Sequence, residues 1–191
     1  RGAANILARA HNRFYLYGVA GKQNYGALND PNLPESVTPV SVGGKSTWAD
    51  KTAANTDQMA NIVFNDIAKL IKNNAGNVDA SCKFRLAVAS DRATYLQMPN
   101  AFGLTALDLL KSNYPNLEVL YLPELTTEAG SMLYLTVPEL FGEVTAECAY
   151  SEKMRFGNVE AYSTSWVQKA IGGTWGCVIR RPHLIATMLG I

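Results

Sequence analysis

The sequence predicts an α+β fold. Two stretches space their apolar residues as helices do, six short segments read as strands, and a glycine-punctuated break separates the first helix from the rest. The chain has 191 residues, 48% hydrophobic and 17% charged, which is enough apolar material for one domain or two small ones. A formal net charge of +1 argues against a strongly basic nucleic-acid groove or a polybasic membrane patch. No apolar run approaches the roughly 20 residues that a membrane helix needs, and residues 1–10 carry no signal-peptide pattern. The first residue is Arg1 and no initiator methionine precedes it, so a fragment or processed product is expected.

Residues 3–17 set Leu7, Ala10, Phe14 and Tyr17 on one helical face, with Arg9, Asn12 and Arg13 off it. No N-cap opens this helix, which suggests that it is entered midway. Phe14 to Pro34 then breaks up through Gly18, Gly21 and Gly26, and Asn29-Asp30-Pro31 and Leu33-Pro34 close it. Ser36–Lys45 reads as a short extended segment, placed at an edge by Pro39. Gly44-Lys45-Ser46 fails as a phosphate loop, because Pro39 stands where that motif needs its first glycine. An ordinary glycine turn is the better reading, with Trp48 anchoring it on a core.

Asn55–Asn74 is the clearest helix, striped by Met59, Ile62, Val63, Ile67, Leu70 and Ile71. Asn55 and Gln58 stand in capping-box positions, and Asn73-Asn74-Ala75-Gly76 is a stop. Lys83–Ala89 reads as a strand. Ser90 is placed to cap a short helix to Gln97, and Thr105 another over 106–112. Leu117–Leu122, Ser131–Val137 and Val144–Tyr150 read as strands, with a polar turn at Thr126–Gly130. Residues 151–157 look like a connection. Asn158–Gln168 and Thr174–Arg181 read as strands of a hairpin turned at Ile171-Gly172-Gly173.

Gly18, Gly21, Gly26-Ala27-Leu28-Asn29 and Pro31 after a helix, with Gly176-Cys177-Val178-Ile179-Arg180-Arg181-Pro182 near the end, resemble the junction after the spine helix and the last strand of tailed-phage and prophage major capsid proteins with the HK97-like fold. The resemblance spans residues 1–191. It implies a discontinuous peripheral domain, residues 1–51 and 152–191, interrupted by an axial domain, residues 52–151. It implies a structural protein of the virion capsid, present in the host cytoplasm before assembly. Its partners would be itself, as pentamers and hexamers of an icosahedral shell, with scaffolding and portal proteins and non-specifically held packaged DNA. The family's N-terminal arm and extended loop do not occur in this sequence, so a core fragment is expected. A nanocompartment shell, which shares the fold, would enclose cargo protein in place of DNA.

Chemistry has little to stand on. His11 and His183 belong to no metal or catalytic pattern, and no serine-nucleophile signature occurs. Cys82, Cys148 and Cys177 are far apart in sequence and read as buried thiols in a reducing compartment. We therefore assign no catalytic, cofactor-binding or metal residue and no cofactor. The competing reading, an intracellular α/β enzyme or small-molecule-binding domain, requires a deep pocket with convergent polar groups. Candidate contact regions are the loops Met98–Gly103 and Thr126–Ser131. The charged candidates are Lys153, Arg155, Arg180 and Arg181, with the acids Glu35, Glu118, Glu124, Glu128, Glu139, Glu143 and Glu147 as solvated face or intersubunit contact.

Overall fold

The computed structural model describes residues 2–74, 78–127 and 129–191. Ala75, Gly76 and Glu128, which the sequence reading used, lie outside them, as does Arg1. The chain divides into two compact units, 1–32 with 146–180 and 33–145 with 181–191. Residues 33–51 and 181–191 thus belong to the second unit, whereas the sequence reading grouped them with the first helix.

In the first unit, helix α1 (Gly2–Tyr17) packs against a long two-stranded antiparallel ribbon, β7 (Ala146–Ala161) and β8 (Trp166–Ile179). The segment after α1 folds straight back on its last turn. Gly18 N–H bonds Phe14 O at 2.9 Å, Ala27 N–H bonds Tyr15 O at 2.8 Å and Leu28 N–H bonds Leu16 O at 3.0 Å. These are carbonyls that a helix end leaves without an internal partner. Gly26 permits the approach, since a Cβ there would lie 2.3 Å from the backbone of Leu16. Asn29 locks it, accepting from Gly26 N–H at 2.6 Å and donating to Tyr17 O at 2.9 Å.

The ribbon corrects the sequence reading twice. Residues 151–157 are not a connection but the middle of β7, and Gly172-Gly173 is no turn but part of β8; the chain reverses between Ala161 and Trp166. Gly172 leaves room for His11 of α1 and for the β7 backbone, and Gly173 leaves room for the Ser151 side chain of β7. A Cβ on Gly172 would sit 3.0 Å from His11 Nε2 and 2.9 Å from Lys153 O. Register shifts along the ribbon accompany them.

In the second unit a five-stranded sheet runs β2 (Leu117–Leu122), β1 (Phe84–Ala89), β4 (Gly130–Thr136), and then β3 (Thr126–Thr127) and β9 (Ile185–Leu189) along the far edge of β4. β1 and β2 are parallel. Parallel neighbours need a crossover, and helices α4 (Ala93–Gln97) and α5 (Ala106–Asn113) supply it. Thr105 caps α5 as expected and forms a full capping box with Asp108. Ser90 makes no cap; it opens a 3-10 turn that leads into α4. β1 is more covered than its alternation predicts, because Ala87 and Ala89 are buried beside Phe84, Leu86 and Val88. Helix α3 (Met59–Asn74) lays Val63, Ile67, Leu70 and Ile71 into the same core.

Helix α2 (Trp48–Ala54) is new to the structure. Thr47 caps it, accepting from Asp50 N–H at 3.3 Å. Asn55, read as the cap of the long helix, instead ends α2, with its side chain on Lys51 O at 3.3 Å. The buried Asp66 carboxylate of α3 gathers this region. It accepts from Val40 N–H at 2.7 Å, from Trp48 Nε1 at 2.8 Å and from the buried Lys51 ammonium, which also donates to Val40 O at 3.0 Å. Residues 36–45 are consequently a strap more than a strand. They bridge the sheet at Val37 with Met188, and Gly43-Gly44 turns them tightly between Val42 and Lys45.

Breaking a buried ion pair on one side leaves a buried charge, costing about 3–5 kcal/mol. Asp66→Ala also strips the Trp48 and Val40 donors, so chemical denaturation should find a loss at or above that range. Replacing both charges, as Lys51→Met with Asp66→Leu, should recover a substantial part of it.

Candidate functional site

Helix α1 buries little of its surface. His11 alone among its described residues is buried, its ring 5.3 Å from that of Tyr150. Leu7 and Ala10, read as the core-facing stripe, are only half-buried, and Phe14 and Tyr17 are exposed. They line two adjoining concavities of the first unit. One, of about 260 Å³, lies between Leu7, His11 and Gly172–Thr174. The other, of about 860 Å³, runs along Phe14, Tyr17 and Tyr25 with Arg9, Arg13 and Lys22. The larger carries three cations, Arg9, Arg13 and Lys22, and no carboxylate among its lining residues.

The ribbon is equally uncovered. Phe156, Val159, Tyr162, Trp166, Ile171 and Trp175 are all exposed, Trp166 at 76%. An isolated two-stranded ribbon is marginal in water, and both of its long edges carry unpaired backbone groups.

In the second unit two aromatic rings stand nearly free. Phe102 is 87% exposed in the turn held by Asn100, which accepts from Phe102 N–H and Leu104 N–H at 3.0 Å each. Phe141 is 89% exposed at the tip of a tight hairpin, β5 (Glu139–Leu140) and β6 (Glu143–Val144). Its φ of 54° is rare for a bulky side chain, and Gly142 follows at 78°. The sequence reading reached Phe102 through the loop 98–103 but missed Phe141. The signal was there, in Phe-Gly between two short extended pairs.

The charged candidates divide and largely neutralise one another. Arg180 Nε donates to Glu147 at 3.1 Å within the first unit, and Arg181 pairs with Glu143 and donates to Leu140 O at 2.9 Å within the second. Arg155 pairs with Glu152 at 3.2 Å, and Lys153 lies 5.6 Å from the Tyr150 ring centroid. Glu118 pairs with Arg85 at 2.9 Å. Among the described residues no group of three or more His, Cys, Asp or Glu side chains is placed to hold a metal ion. His183 follows Pro182 in a 3-10 turn.

Apolar rings held outward, an uncovered ribbon and internally paired charges are the features of this surface, and the comparisons with known proteins place the chain among major capsid proteins. The chain belongs to the Pa193 gp26 major capsid protein family, whose model matches residues 1–190. Its fold is similar to that of a chain described as the capsid of Myoviridae phage XM1, with TM-score 0.71 and 14% identity over 100% of this chain and 63% of that one. It is also similar to a virus-like particle from Pyrococcus furiosus, with TM-score 0.54 and 13% identity over 81% of this chain and 57% of that one. The chain thus spans less than two thirds of either protein. No curated protein matches it. The α+β, HK97-like fold expected from the two ends of the sequence agrees with these neighbours.

Asp91 anchors Thr126 and Ser131, accepting from Thr126 Oγ1 at 3.0 Å and Ser131 Oγ at 2.6 Å. Burial alone would push this carboxyl up. The Ser131 and Thr126 hydroxyls and the Arg92 guanidinium outweigh it and hold the carboxyl below its usual value. A carboxylate depressed in the folded state stabilises above its unfolded pKa, and that contribution is lost as pH falls through the folded one. In an NMR titration Ser131→Ala should therefore raise the Asp91 midpoint. The difference in melting temperature between variant and parent should shrink below roughly pH 4.

Proposed function

We propose that this protein is the structural major capsid subunit of a tailed phage or prophage, associating with copies of itself as pentamers and hexamers that close an icosahedral shell around the DNA genome. The family match over residues 1–190 carries this reading. The first unit serves as the peripheral domain and the second as the axial domain. Scaffolding and portal proteins are its assembly partners, packaged DNA touches it without sequence preference, and the host cytoplasm holds it until assembly. Its activity is association, not catalysis. Each contact joins two different patches, and rotation closes the ring. Phe102, Phe141 and the ribbon face are the patches we assign to neighbouring copies.

The likeness to a virus-like particle favours a second reading, a shell around cargo protein. Electron microscopy of the protein expressed in cells should find uniform icosahedral shells, and their contents, nucleic acid or protein, separate the two readings. A monodisperse monomer that turns over a substrate would refute both.

Burying an aromatic ring contributes about 1.5–3 kcal/mol, or at least tenfold in association constant per contact. Phe102→Ser and Phe141→Asn should therefore leave subunit stability within about 0.5 kcal/mol or, for Phe141, improve it. Both should sharply reduce the assembled fraction in sedimentation.

A further inference from the structure

The ribbon's register sets Cys148 of β7 directly opposite Cys177 of β8. Directly opposed residues of an antiparallel pair face the same side with Cα atoms about 4.5–5.5 Å apart, inside the roughly 4.4–6.8 Å that a disulfide spans. Both thiols are free and half-buried. The Tyr15 hydroxyl of α1 hydrogen-bonds Cys177, and the Tyr150 hydroxyl, two residues along the same strand, hydrogen-bonds Cys148. Nothing in the spacing of the two cysteines along the chain announces this pair.

We propose that Cys148 and Cys177 form a dithiol site at the open end of the ribbon, which a low-molecular-weight disulfide of the glutathione class oxidises to an intramolecular disulfide. The Cys148 thiolate attacks one sulfur of the small disulfide, expelling one thiolate and leaving a mixed disulfide on Cys148. Cys177, losing its proton to solvent, attacks the Cys148 sulfur, forms the Cys148–Cys177 bond and expels the second small thiolate. Two protein thiols are oxidised and one small disulfide is reduced to two thiols. The order follows from the surroundings. Burial pushes the Cys177 thiol up to about 11 against the lowering by Tyr15, with Cys148 and Asp30 raising it further, so Cys177 stays protonated at neutral pH and closes the bond second. The site depends on the ribbon's register and not on assembly.

The test equilibrates the whole chain with oxidised glutathione, alkylates the remaining thiols in denaturant and maps the peptides by mass. A Cys148–Cys177 cross-linked peptide with Cys82 alkylated is the expected result. Cys177→Ser should retain glutathione on Cys148, whereas Cys148→Ser should leave Cys177 unmodified. Alkylation of all three cysteines, or a disulfide that involves Cys82 or a second copy, would overturn the proposal.

Discussion

The Asp66 carboxylate is the constraint on which the second unit depends. A charge removed from water must find partners for its oxygens, and here the partners come from three different places: the strap backbone at Val40, the Trp48 indole and the Lys51 ammonium. An apolar contact would tolerate sliding of the strap along α3, but this arrangement does not, since each donor has one position that satisfies it. Lys69 adds a further tie by donating to Thr38 O at 2.7 Å. The strap is thereby fixed at the edge of the sheet, where Val37 N–H reaches Thr187 O at 2.7 Å.

The first unit is built on the opposite logic. Its strands bury little, its helix buries one histidine, and its order comes from close backbone approaches at Gly26 and Gly172. Such a body has little apolar burial with which to offset the entropy of ordering a long ribbon. Under the proposed shell role, neighbours that bind only the folded form would stabilise it by mass action.

What the sequence made readable was local. The α3 stripe, the Thr105 cap and the glycine loop after α1 each rest on residues within a turn or two of one another, and each is where the spacing puts it. Helix α2 was hidden because its reason is distant: Lys51 and Trp48 are buried only because Asp66, on another helix, receives them. The ribbon was misread for a related cause. A strand exposed on both faces has no apolar alternation to betray it, and Gly172-Gly173 carries the signature of a turn while making room for His11 of α1 at Gly172 and for Ser151 of β7 at Gly173. Pairing register is likewise invisible to spacing, which is why the two opposed cysteines looked unrelated and the arginines at 180 and 181 looked like one cluster.

Phe141 has a consequence for engineering. A bulky residue held at positive φ costs on the order of 1–3 kcal/mol, and glycine or asparagine would relieve it. Directed evolution that scores only the thermal endurance of the lone polypeptide should discard this phenylalanine early, whereas, on the proposed contact with a neighbouring copy, a screen for intact particles should keep it. The two selection regimes would pull this position in opposite directions, so libraries made for hardier subunits need the particle itself as their readout.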